Sequence, residues 1–150
     1  MHVKALLPLP LLLAALACGK KEAPAPPPAP AAAAPAPAPL SVSSIKLANA
    51  IGADKKIAEG SDSFGVKDTI YASIQTDGAA ASAKLEAKWT FTGSKGPVPV
   101  HDDSMDLVNV AAPTTNEFHI TKKTPWPKGN YQVEILLNGA SAGAKAFTVK

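Results

Sequence analysis

The chain has 150 residues, a formal net charge of +3 and no Arg. A nucleic-acid-binding domain normally shows a basic stripe with Arg for phosphate and base-edge contacts, so that class is set aside. The single Cys excludes an intramolecular disulfide and every multi-Cys metal site.

The composition is uneven along the chain. Ala crowds the stretch before Leu40, whereas every aromatic residue lies at Phe64 or beyond. Residues 1–17 begin with Lys4 as the only charge and continue in an uninterrupted apolar run, Ala5–Ala17. As a helix this run spans roughly 20 Å, short of the ~30 Å hydrocarbon core of a bilayer. Pro8 and Pro10 further disfavour a spanning helix. The segment therefore reads as a signal peptide. It ends Ala15-Leu16-Ala17-Cys18-Gly19, with the chain's one Cys directly after the small residue Ala17.

This ending resembles the lipobox of bacterial lipoproteins, with Ala15 where Leu is usual and Leu16 where a small residue is usual. The resemblance covers Met1–Gly19. It implies cleavage between Ala17 and Cys18, a diacylglyceryl group on the Cys18 sulfur and acylation of the new amine. Two or more acyl chains anchor a protein stably where a single one does not. It also implies a Gram-negative envelope, and Gly19 in place of Asp implies sorting to the outer membrane, facing the periplasm. The alternative is an ordinary secretory signal with an Ala15-x-Ala17 box, which cuts the same bond, leaves Cys18 free and releases the protein into the periplasm.

Residues 18–40 form the next segment: the lipidated Cys, then a linker. After Lys20-Lys21-Glu22, every residue from Ala23 to Pro39 is Ala or Pro, with no periodicity and no large side chain. Such a segment is disordered for want of a core. Its Ala-Pro alternation favours polyproline II, a semi-rigid spacer of roughly 60 Å at full extension. It reads as a tether between membrane and domain.

Residues 41–150 carry Lys and acidic side chains in near balance and show recurrent period-two alternation. Leu85, Ala87, Trp89 and Phe91 fall on one face, opposite Lys84, Glu86, Lys88 and Thr90. Tyr131, Val133, Ile135 and Leu137 oppose Gln132 and Glu134. Shorter alternations surround Ile45, Ile70, Phe118 and Phe147. Thr76–Ala83, Gly93–Pro97 and Thr124–Asn130 supply turn residues, and Asn138-Gly139 marks a two-residue hairpin. Pro97 and Pro99 mark an edge strand or loop, because Pro cannot donate to a ladder. About seven short strands at this spacing predict an all-β, Ig-like antiparallel sandwich.

The run Pro127-Lys128-Gly129-Asn130-Tyr131, with the following hairpin and Phe147-Thr148-Val149, resembles the closing strands of bacterial Ig-like and fibronectin type III-like modules. The resemblance implies that Tyr131 clamps a corner. It carries no activity. The whole layout is similar to small proteobacterial lipoproteins with one Ig-like domain.

No catalytic constellation emerges. Only His101 and His119 are available as bases in the domain, no Gly-x-Ser-x-Gly turn is present, and Gly93-Ser94-Lys95-Gly96 lacks phosphate-loop spacing. The chain reads as a non-enzyme with no cofactor. The densest polar cluster is His101-Asp102-Asp103-Ser104-Met105-Asp106. Its carboxylates suit Ca²⁺, and His101 with Met105 and His119 suits copper, so the candidate metal set is His101, Asp102, Asp103, Asp106 and His119. The competing reading is a polar loop beside an edge strand. Trp126 either plugs the end of the sandwich or stacks on a ligand. Two functional expectations follow. One is a non-catalytic adaptor, anchored through Cys18, that docks on an envelope protein. The other is a periplasmic small-ligand or metal-binding lipoprotein.

Overall fold

The computed structural model describes residues 38–93, 96–111 and 113–150. The expected signal peptide, the expected cleavage site at Ala17–Cys18, the expected lipid attachment at Cys18 and the linker to residue 37 lie outside the described residues.

Among the described residues eight strands follow in order: β1 (Ser41–Ala48), β2 (Ser63–Phe64), β3 (Ile70–Asp77), β4 (Ala79–Gly93), β5 (Gly96–Ala111), β6 (Thr114–Ile120), β7 (Gly129–Leu137) and β8 (Ala140–Val149). They form a three-stranded sheet, β1-β3-β6, and a five-stranded sheet, β2-β8-β7-β4-β5. The expected all-β sandwich is present. The strand beyond the expected seven is the two-residue β2. It runs parallel to β8, pairing Ser63 with Thr148 and Phe64 with Val149, and every other strand pair is antiparallel.

The alternation seen in the sequence selects the inner faces. On β4, Leu85, Ala87 and Trp89 are fully buried, while Lys84 and Lys88 are exposed. Across the sandwich Leu47, Ile70, Ala72 and Ile74 are equally buried. With no disulfide available, burial of these side chains holds the two sheets together. At one end the core is aromatic. Tyr131 stacks on Phe147 at 5.3 Å, Trp89 and Phe64 meet Phe147 edge-on at 6.0 and 5.5 Å, and Phe91 lies 4.8 Å from Tyr131. Such offset and edge contacts stabilise beyond simple area burial.

The expected turn at Thr76–Ala83 contracts to Gly78 alone. β3 continues to Asp77 and β4 starts at Ala79, so the chain changes sheet at Gly78. Gly78 has φ +98°, and a Cβ there would collide with the Pro39 carbonyl. Glycine is thus required by both backbone and space. The Ala79 N–H donates to the Ala38 carbonyl at 2.9 Å, which fastens the last linker residues to the start of β4. The Ala-rich segments Ala79–Ala83 and Ala140–Ala146 are strands, because each is paired along its length with a neighbour.

The Asn138-Gly139 hairpin is where the sequence places it. Both residues have positive φ, 53° and 80°, as a type I′ turn demands. The Asn138 side-chain oxygen accepts from the Lys84 N–H at 2.8 Å, tying the turn to β4.

Candidate functional site

The polar cluster His101–Asp106 is not a loop. It lies within β5, the long edge strand of the five-stranded sheet. Strand geometry therefore divides it between two faces. His101 pairs with Trp89, Asp103 with Ala87 and Met105 with Leu85, which sets these residues on the inward side. Asp102 pairs with Lys88 and Asp106 with Lys84, on the outer side. His119 belongs to the other sheet, opposite Tyr71. Its Nδ1 lies 2.7 Å from the Glu117 carboxylate, and its ring lies 5.4 Å from that of Tyr71. Among the described residues no group of three or more His, Cys, Asp or Glu is arranged to hold a metal ion. The five residues of the candidate metal set, His101, Asp102, Asp103, Asp106 and His119, are thus not brought together as one set. The period-two pleat sends His101 and Asp103 to one face of β5 and Asp102 and Asp106 to the other, and His119 stands on the other sheet.

Two members of the set do share a site. His101 and His119 both line a cleft of about 490 Å³ between the first half of β5 and the end of β6. Phe91, Trp126 and Tyr131 also line it, with Lys122 at its margin. Sequence reasoning does not single out Phe91 and Lys122 as site residues. Their only sequence signal is residue type, because the cleft joins segments far apart in the chain.

Trp126 is a plug. It is 5% exposed, its indole N–H donates to the Asp68 carbonyl at 2.9 Å, and its backbone N–H donates to the Val66 carbonyl at 2.7 Å. It stands edge-on to Tyr131 at 6.1 Å, and the Lys122 ammonium lies 5.9 Å from its ring centroid, within cation–π range. Tyr131 closes the same end. Its hydroxyl donates to the Pro127 carbonyl at 2.8 Å, the corner clamp expected from the Pro-x-Gly-x-Tyr run. Burial pushes the Tyr131 phenol above its ordinary pKa.

The remaining edge features are plain. β5 has no strand on its outer side among the described residues. Its Val98, Val100 and Val108 are 51%, 36% and 68% exposed.

Two facing sheets, a Tyr corner and a buried Trp on β4 define an Ig-like β-sandwich. No protein-family model matches the sequence, and no curated protein matches it. Similarity appears among solved structures. An immunoglobulin-like protein from Pseudomonas aeruginosa superposes with a TM-score of 0.53 at 12% identity, over 75% of this chain and 98% of that one. An alkylpurine DNA glycosylase from Pseudomonas fluorescens, bound to DNA containing an abasic site analog, gives 0.51 at 16% identity, over 75% of this chain. A β-glucosidase from Erythrobacter marinus gives 0.51 at 8% identity, over 74% of this chain. This chain spans 31% of the glycosylase and 15% of the glucosidase, against 98% of the immunoglobulin-like protein. At these identities the likeness concerns the fold alone.

Proposed function

We propose that this chain is an envelope lipoprotein, anchored in the outer membrane through Cys18 and facing the periplasm. Its Ig-like domain is a non-catalytic adaptor that docks on another envelope protein. The observation that carries this reading is the open outer side of β5 beyond Pro99, where Val108 is exposed. An extended partner segment can continue the sheet there, main-chain hydrogen bonds giving affinity and alternate side chains giving selectivity.

Two features narrow the partner. Pro97 and Pro99 lack the N–H that a new strand would need, so pairing is confined to the part of β5 beyond them. Antiparallel pairing of two copies about Ser104 would set Asp102 against Asp106, and like charges directly opposite destabilise a pair. The edge therefore favours a different protein over a second copy.

Photo-crosslinking in living cells tests this reading. A photoreactive residue replaces Ser104 or Val108 on β5 and, as a control, Lys46 on β1. The expected result is one dominant envelope partner from the β5 positions, absent from the Lys46 position and lost when Cys18→Ala removes the anchor. Identical products from all three positions, or none from β5, would overturn it.

A further inference from the structure

The cleft beside β5 supports a second role, independent of the adaptor reading. Its volume of about 490 Å³ falls in the range of roughly 300–1,000 Å³ typical of small-molecule sites. Such sites combine apolar walls with a few polar groups. Here the apolar part comes from Phe91, Trp126, Tyr131 and Ile120, and the polar part from His101, His119 and Lys122.

The charge of the lining sets the ligand class. Among the described residues no Asp or Glu lines the cleft. Asp102 follows His101 directly yet belongs to the opposite face, paired with Lys88. The His119 Nδ1 is committed to Glu117 and the Tyr131 hydroxyl to Pro127. Lys122 is different. It makes no ion pair among the described residues, and its ammonium stands by the Trp126 ring. A cation beside an aromatic and aliphatic wall is complementary to one kind of small molecule. We infer that the cleft binds a small amphipathic carboxylate, with its ring or branched apolar group against Phe91 and Ile120 and its carboxylate at Lys122.

The test uses 3-phenylpropionate and its neutral counterpart 3-phenylpropionamide as probes. The full chain, in lipid nanodiscs, carries ¹⁵N in its two Trp residues, and empty nanodiscs correct for probe partitioning. The acid should shift the Trp126 indole signal saturably, and the signal of Trp89, buried in the core, much less. The amide should bind about fivefold more weakly, the scale of one exposed charge contact. Lys122→Gln, at an exposed position, should weaken the acid about fivefold and leave the amide unchanged. Val98→Asp, at a residue 51% exposed, introduces a carboxylate at the margin and should weaken the acid as well. Equal binding of acid and amide, insensitivity of the acid to both substitutions, or no Trp126 shift below roughly 10 mM probe would each overturn the proposal. The crosslinking result on β5 is unaffected by any of these outcomes.

Discussion

Replacing Tyr131 by Phe isolates the corner clamp. The substitution deletes one hydroxyl and keeps the ring, so the stack on Phe147 at 5.3 Å and the contact with Phe91 at 4.8 Å remain. What is lost is the 2.8 Å hydrogen bond to the Pro127 carbonyl. Pro127 is exposed, so water can take over part of that carbonyl's bonding. The cost is therefore that of one net hydrogen bond, about 1–1.5 kcal/mol. For a domain of this size that lowers Tm by roughly 4–6 °C. In urea the midpoint should fall with an unchanged m-value, because the area exposed on unfolding is the same. The pH dependence gives an independent check. Burial raises the Tyr131 pKa in the folded state, so its contribution is complete below the unfolded-state pKa of about 10 and is lost as pH rises through the folded value. The wild-type advantage over Tyr131→Phe should shrink above about pH 10, and the sign follows from the neutral phenol being the form the fold prefers. A Tm difference below about 1 °C at pH 8 would refute the clamp as a source of stability.

Three other outcomes follow from the backbone and from the divided polar cluster. Gly78→Ala places a Cβ against the Pro39 carbonyl at a positive φ, and should cost about 2 kcal/mol or more in urea unfolding; a neutral result would show that the linker end is not fixed to β4. Gly139→Ala has open space around it, so only the backbone term of about 1 kcal/mol applies, measurable as a lower urea midpoint, and an unchanged midpoint would contradict the type I′ assignment. Ca²⁺ or Cu²⁺ at low millimolar concentration should leave Tm unchanged, since no three of His101, Asp102, Asp103, Asp106 and His119 are arranged to hold an ion; a saturable rise in Tm would contradict that arrangement.

The fold was legible in the sequence where one face of a strand is buried and the other solvated. The β4 alternation around Trp89, the Asn138-Gly139 hairpin and the Tyr131 corner each combine a local rule with a short-range consequence. Legibility failed where tertiary pairing overrides local composition. Ala79–Ala83 and Ala140–Ala146 carry little strand propensity, and only their ladder partners make them strands. Ser63–Phe64 is a strand solely because Thr148 and Val149 lie beside it. The candidate metal set is divided for a related reason. Acidic density in the sequence reads as a turn or a metal loop, yet in an extended strand adjacent carboxylates diverge. The cleft was the least legible feature, because it joins β4, β5, β6 and the β6–β7 connection, and no local signal links them. Of the candidate site residues, His101 and His119 line it.

The proposed function depends most on lipidation of Cys18. Intact mass spectrometry of the full-length gene product, extracted from membranes, measures it directly. The expected product is a chain that begins at Cys18 and carries a diacylglyceryl group on sulfur and an acyl group on the amine. A chain beginning at Cys18 with a bare amine and thiol, or one still bearing residues 1–17, would contradict it.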